Sequence, residues 1–204
     1  MSRENAPRVL VESVAQWRDW LAEHHADEPP GVWSVRWRYA SGGPVVTYEE
    51  LVEAALCFGW IDSSGRTLDD QQTMLWFTRR KKGSGWARTN KIRIERLEAE
   101  GLMAPAGRAM IEAARADGSW TLLDEVEDLV VPPDLAAAFE AYPGSREQWD
   151  AFPPSARRAH LEWLVQAKRP ATREARMRDI AESASRGVRA NEWVRKTPSP
   201  APGA

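Results

Sequence analysis

The sequence has one cysteine and three histidines in 204 residues. Cys57 has no second thiol to pair with inside the chain, and no set of Cys, His, Asp or Glu has the spacing of a metal site. No metal, cofactor or disulfide framework is expected. A chain of this length buries roughly 70% of its unfolded surface and folds without such staples. No run approaches the ~18 apolar residues of a membrane helix, and the start MSRENAPRVLVESVAQW lacks the apolar stretch of a signal peptide. The expectation is a cytoplasmic protein with no transmembrane segment. There is no Walker sequence, no helix-turn-helix signature and no RNA-recognition aromatic pattern.

What is abundant is tryptophan, eleven in all, and charge sorted into blocks. Residues 1–75 carry 6 basic and 12 acidic side chains, and residues 76–96 carry 8 and 1. Residues 97–152 carry 3 and 12, and residues 153–204 carry 11 and 5. Such blocks either complement one another within the fold or face partners outside it. Most of the tryptophans, Trp17, Trp33, Trp37, Trp60 and Trp76 among them, read as core.

Three capping boxes are legible: Ser13 to Gln16, Thr47 to Glu50 and Ser145 to Gln148. Val14, Trp17 and Leu21 then share one helical face. GVWSVRWRY alternates strictly, with Trp33, Val35, Trp37 and Tyr39 on one side and Val32, Ser34, Arg36 and Arg38 on the other. It reads as a half-buried antiparallel strand with the tryptophans inward. FGWID is a turn into a short extended piece, and MLWFTRR is a further strand. Thr89 is placed to cap a helix ending at Gly101, and Ala106, Ala109, Met110, Ala113 and Ala114 form the apolar stripe of the next one.

A composition shift at DEVEDLVVPPDL marks a boundary. Beyond it the periodic segments are helical: Leu135 to Tyr142, a helix from Pro153-Pro154-Ser155, and one capped by Thr172. The tail KTPSPAPGA is proline-rich and expected to be disordered. The fold class is α+β. Residues 1–128 form a domain with a small, mainly antiparallel sheet packed by helices, residues 129–190 an all-helical module, and residues 191–204 the tail.

For chemistry, Cys57 lies between Leu56 and Phe58 near a helix C-terminus, where the dipole raises a thiol pKa, and reads as structural. Asp62, Asp69 and Asp70, close to Arg66, are paired carboxylates able to run acid–base chemistry, or else turn formers. Arg79, Arg80, Lys81 and Lys82 precede a flexible Gly83-Ser84-Gly85 and lead to Arg88, Asn90 and Lys91 at a helix start. That is an anion cradle in outline, with Trp86 as a stacking platform, or a solvated loop pinned by that indole. The FGWID turn with Trp60, the Asp69–Asp70 pair and the basic loop are expected to converge at one sheet edge.

The blocks ALCFGWID, LDD, WFTRR, NKIRIERL, GLMAPAG and AKRPATREARM resemble the YdeI/OmpD-associated, or bacteriocin-protection, family over roughly residues 10–188. The resemblance implies an α+β domain followed by the family's OmpD-associated helical module, and an association with resistance to antimicrobial peptides and with envelope stress. It carries no catalytic residues over. Ser63-Ser64-Gly65 stands where Gly-Gln is more common, and RRKKGSGW where a proline-containing loop is usual. The readings in order are a non-enzymatic protein binding an anionic ligand or protein partner, a nucleic-acid or nucleotide binder, and an enzyme using the aspartates.

Overall fold

The computed structural model describes residues 3–27 and 31–191. The chain divides into two compact units, Met1–Leu122 and Leu123–Ala204. The expected disordered tail falls almost wholly on residues 192–204, outside the described residues.

The first unit is a four-stranded mixed sheet with helices. Its strands are β1 (Arg8–Leu10), β2 (Val32–Trp37), β3 (Trp60–Thr67) and β4 (Gln72–Arg79), in the order β1-β2-β4-β3. β1 runs parallel to β2, and the other two pairs are antiparallel. Helix α1 (Val14–His24) starts at Ser13, whose Oγ accepts the Gln16 amide, but the Gln16 side chain reaches past the cap to the Glu12 amide. Helix α2 (Tyr48–Cys57) opens with a complete capping box between Thr47 and Glu50. Helices α3 (Arg88–Ala99) and α4 (Pro105–Ala116) complete the unit.

The alternation in β2 is as read, but its phase is inverted. Val32, Leu75 and Phe77 join the large core with the helices, while Trp33, Val35, Met74 and Trp76 form a second cluster on the opposite face. Ser34, paired with Leu75, is fully buried and its hydroxyl donates to the Leu75 carbonyl at 3.2 Å. The tryptophan face is covered by Ala6 and Leu68, with the Arg3 and Arg66 guanidiniums over Trp76 and Trp33. Both faces are therefore dry. A period of two says which residues share a side, not which side receives the helices.

In the large core, Trp17 stacks on Trp20 at 5.2 Å and tilts against Phe77 at 5.3 Å. The indole N–H groups of Trp17 and Trp60 donate to the Leu51 and His25 carbonyls, which removes the penalty of burying them unmade. Helix α4 is rotated from the expected stripe: Gly107, Ile111 and Ala114 are buried and Ala109 and Ala113 exposed. The cause is a close approach to the end of α2, where the Ala104 amide donates to the Cys57 carbonyl at 3.1 Å. A Cβ on Gly107 would lie 2.2 Å from that carbonyl oxygen. Thr89 is not the cap of α3, which follows Ala87.

The second unit is helical, with α5 (Asp124–Glu127), α6 (Pro133–Glu140), α7 (Ser145–Asp150), α8 (Pro154–Val165) and α9 (Pro170–Ser185). Leu135, Phe139, Trp149, Leu161, Leu164 and Ile180 form its core. The Trp149 indole donates to Nδ1 of the buried His160 at 3.1 Å. Two expected caps are corrected. Gly144 with φ +77° precedes α7, and the buried Ser145 donates instead to the Phe139 carbonyl. Helix α9 starts at Pro170, with Arg169 as its cap residue, so Thr172 lies inside it. Among the described residues no helix is long and apolar enough to cross a membrane.

Alanine is the better helix former by about 1 kcal/mol, yet Gly107→Ala is expected to destabilise the protein by about 1–3 kcal/mol through overpacking on the Cys57 carbonyl. Urea denaturation of the purified variant, with the midpoint lowered at unchanged slope, checks this.

Candidate functional site

The basic segment begins where β4 ends. The Arg80 amide donates to the Gly59 carbonyl at 3.0 Å, so the sheet edge holds the chain one residue past the strand. The Arg80 side chain then turns inward and is only 7% exposed. Its Nη2 donates to the Gly85 carbonyl at 2.6 Å, and its guanidinium carbon lies 3.7 Å from the centroid of the Trp86 ring. Nε is buried with no partner, and among the described residues no carboxylate pairs with this group. Burial pushes its pKa down to about 10, so it stays charged at neutral pH. A buried cation held by one carbonyl and one indole face is incompletely compensated.

Trp86 is 2% exposed and packs against Trp120 at 5.2 Å, so it is a wall of the core and not a stacking platform for a base. The Gly83-Ser84-Gly85 stretch is a hydrogen-bonded turn, with Gly83 at φ +74° and the Ser84 amide and hydroxyl both donating to the Lys81 carbonyl. It leads straight into α3, whose cap residue Ala87 offers no side-chain oxygen to the first amides. Lys81, Lys82 and Arg88 are exposed around this helix start. Lys91 lies half-buried over Trp120 at 5.4 Å, and Arg79 reaches the Ala26 carbonyl at 3.4 Å.

The rest of the positive block is spoken for. Arg93 makes a two-pronged pair with Glu49 at 2.6 and 2.7 Å, and donates to Oδ1 of Asn90 at 2.7 Å. Asn90 is accordingly buried and structural. Arg96 bonds Glu53 and Glu100. The acids of α2 thus neutralise one side of α3. Hydrogen bonds from Arg93 hold the Glu49 carboxyl below its ordinary value.

The aspartates do not converge. Asp62 accepts from the Tyr48 hydroxyl at 2.9 Å, near the start of β3. Asp69 sits in the β3–β4 turn, where one carboxylate oxygen accepts the amides of Gln71 and Gln72, both at 2.8 Å, and Asp70 is exposed beside it. Asp69–Asp70 therefore lie at the far end of the hairpin from the basic loop, although the FGWID turn and that loop do meet. Trp60 is fully packed and Arg66 stacks on Trp33 at 4.3 Å. An acid–base pair of carboxylates is not assembled. Cys57 is buried, and burial raises its thiol pKa. Among the described residues no group of three or more His, Cys, Asp or Glu is placed to hold a metal ion.

Residues 9–110 match the family described as a domain of unknown function (DUF8412), and residues 128–187 match the family described as Bacteriocin-protection, YdeI or OmpD-Associated. The first match spans half of the chain, which belongs to that family, and the second covers residues 128–187 only. The YdeI/OmpD-associated resemblance read across residues 10–188 is matched over residues 128–187, and the bacteriocin-protection description attaches to that helical segment alone. The sheet-bearing half, where the basic segment lies, brings no activity with its family. No curated protein and no solved structure matches the chain.

Sequence reasoning missed Trp120, Asp117 and Arg115. Asp117 is held below the usual carboxylate range by hydrogen bonds from Ser119, with the Lys82 charge adding to the effect, and Arg115 lies 5.1 Å over Trp120. All three follow or end α4, and nothing in their local spacing connects them to residues 79–91. A larger cavity of about 720 Å³ against α6 and α7 is lined by Glu140, Glu147 and Asp150, and its Arg146 is tied to Asp150, so it offers little to an anion.

Because the Glu49 pKa is lowered on folding, the stability it supplies is complete above the ordinary glutamate value of 4.5 and is lost as pH falls below it. The pair is half exposed, so Glu49→Gln is expected to cost about 0.5–1 kcal/mol at pH 7 and nothing at the acid limit. Paired urea titrations across that range check it.

Proposed function

We propose that this chain is a non-enzymatic, cytoplasmic binding protein of the bacteriocin-protection and peptide-resistance class, which holds an anionic partner at the start of α3. The supporting observation is Arg80: a cation 7% exposed, paired with no carboxylate among the described residues, and held against Gly85 and Trp86 in the turn that leads into an uncapped helix start. Burying an unpaired charge costs stability, whereas an apolar residue in its place is often neutral or better. A charge kept under those terms has a use when an anion arrives from outside. The helix dipole and the exposed Lys81 and Lys82 side chains add to the same field.

A nucleic-acid reading is the weaker one, since the buried Trp86 removes the aromatic contact that single strands exploit. An enzyme reading through Asp62, Asp69 and Asp70 is not carried forward.

The experiment is a titration followed by intrinsic tryptophan fluorescence, with inorganic phosphate, nucleotides, an acidic peptide and mixed-sequence RNA, each at two salt concentrations. Saturable binding of one class is expected, weakened about tenfold or more in Lys81→Glu/Lys82→Glu. Arg80→Met is expected to bind weakly too while matching wild-type stability within about 1 kcal/mol. A binding constant falling steeply with salt for RNA alone favours the nucleic-acid reading. No response from any anion overturns the proposal.

A further inference from the structure

A cavity of about 460 Å³ opens between the start of α2 and the strands β2, β4 and β3. Its volume is in the range of small-molecule sites. Leu75 gives it an apolar floor, and the Thr67 and Thr73 side chains line it with hydroxyls. Of its three charged residues Arg66 lies over Trp33 at 4.3 Å, and the other two, of opposite sign, stand apart. Asp62 gives one carboxylate oxygen to the Tyr48 hydroxyl, and its other oxygen has no partner among the described residues. Arg36 spends Nη1 on the Val46 carbonyl at 3.1 Å, and its remaining nitrogens have no partner among the described residues.

The separation of these groups follows from the sheet register. Arg36 pairs with Thr73 and Asp62 with Phe77, on strands flanking β4 and four residues apart along it. That offset is about 13 Å of strand, partly closed by the length of the arginine side chain. The two charges therefore do not neutralise each other and are too far apart for the adjacent charges of a single α-amino acid. Beside Asp62 the register of β3 slips before Gly65, a bulge that bends the edge strand around the cavity.

We propose that this cavity binds an extended zwitterion of dipeptide size, its ammonium on Asp62 and its carboxylate on Arg36. The hydroxyls of Thr67 and Thr73, level with Arg36 in the sheet, add hydrogen bonds at the carboxylate end. Recognition needs both termini uncapped, so the ligand class is free short peptides rather than internal segments of a protein. The inference is independent of the anion site at α3, which shares none of these residues.

Isothermal titration calorimetry with a panel of neutral dipeptides, and with the same dipeptides N-acetylated or C-amidated, tests it. The wild type is expected to bind the free forms, with either cap weakening binding about tenfold. In Asp62→Asn the preference over the N-acetylated form is expected to vanish. Gly65→Val is the blocking variant. A Cβ there meets Leu75 at an ordinary 3.6 Å, so the fold tolerates the side chain while the cavity narrows. Its binding is expected to be lost with far-ultraviolet circular dichroism unchanged, and Lys81→Glu/Lys82→Glu is expected to bind as the wild type does. No heat from any free dipeptide, or equal affinity for capped and free forms, overturns the proposal. So does loss of binding in the lysine variant.

Discussion

Strand β4 is the constraint on which the first unit depends. It pairs with β2 on one side and β3 on the other, and its alternate residues supply two cores, Leu75 and Phe77 to the helices, Met74 and Trp76 to the opposite face. A strand dry on both faces has no room for a charge until it ends. The first cationic residue past its end is Arg80, which is still fixed to the sheet edge through the Gly59 carbonyl. Its side chain enters the interior because the chain leaves the strand from inside. Lowering an arginine to about 10 corresponds to a cost of about 3 kcal/mol. Burying an indole the size of Trp86 contributes about 4–6 kcal/mol, so the loop closes despite the charge.

The charge blocks have a divided fate for a related reason. Helices α2 and α3 meet through Glu49 with Arg93 and Glu53 with Arg96, so two of the eight cations of the positive segment are balanced by acids from the preceding block. Lys81 and Lys82 stand exposed ahead of the N-terminal end of α3, the end at which the helix dipole already favours anions. Local charge counts describe the segment well and its availability poorly. The difference is made by which turn of α3 faces α2.

Much of the fold was legible. The Thr47 box, the strand from Met74 onward and the helical character after residue 128 all follow from caps, alternation and periodicity. The inverted phase of β2 was not, because Trp33 and Trp37 are the larger side chains and size argues for the helix-facing core. The chain instead covers that face with the segment around Ala6 and with two arginines. The rotation of α4 was invisible too, since it turns on the absence of a Cβ at Gly107 and not on hydrophobicity. At the candidate site the exposed cations were readable from composition. The burial of Arg80, Trp86 and Asn90 and the separation of Asp62 from Asp69–Asp70 depend on contacts distant in sequence, and on where a hairpin turns.

The central claim is that Arg80 is a buried cation completed by an anion from outside. Nuclear magnetic resonance of the arginine Nε–H groups tests it directly, with the Arg80 signal assigned through Arg80→Met and followed as inorganic phosphate and the anion identified by fluorescence are added. The account predicts one strongly ring-shifted, slowly exchanging signal, from the guanidinium over Trp86, that moves saturably with the anion. A signal that stays fixed while the Lys81 and Lys82 ammonium resonances respond would contradict it and leave Arg80 as a clamp for the loop alone.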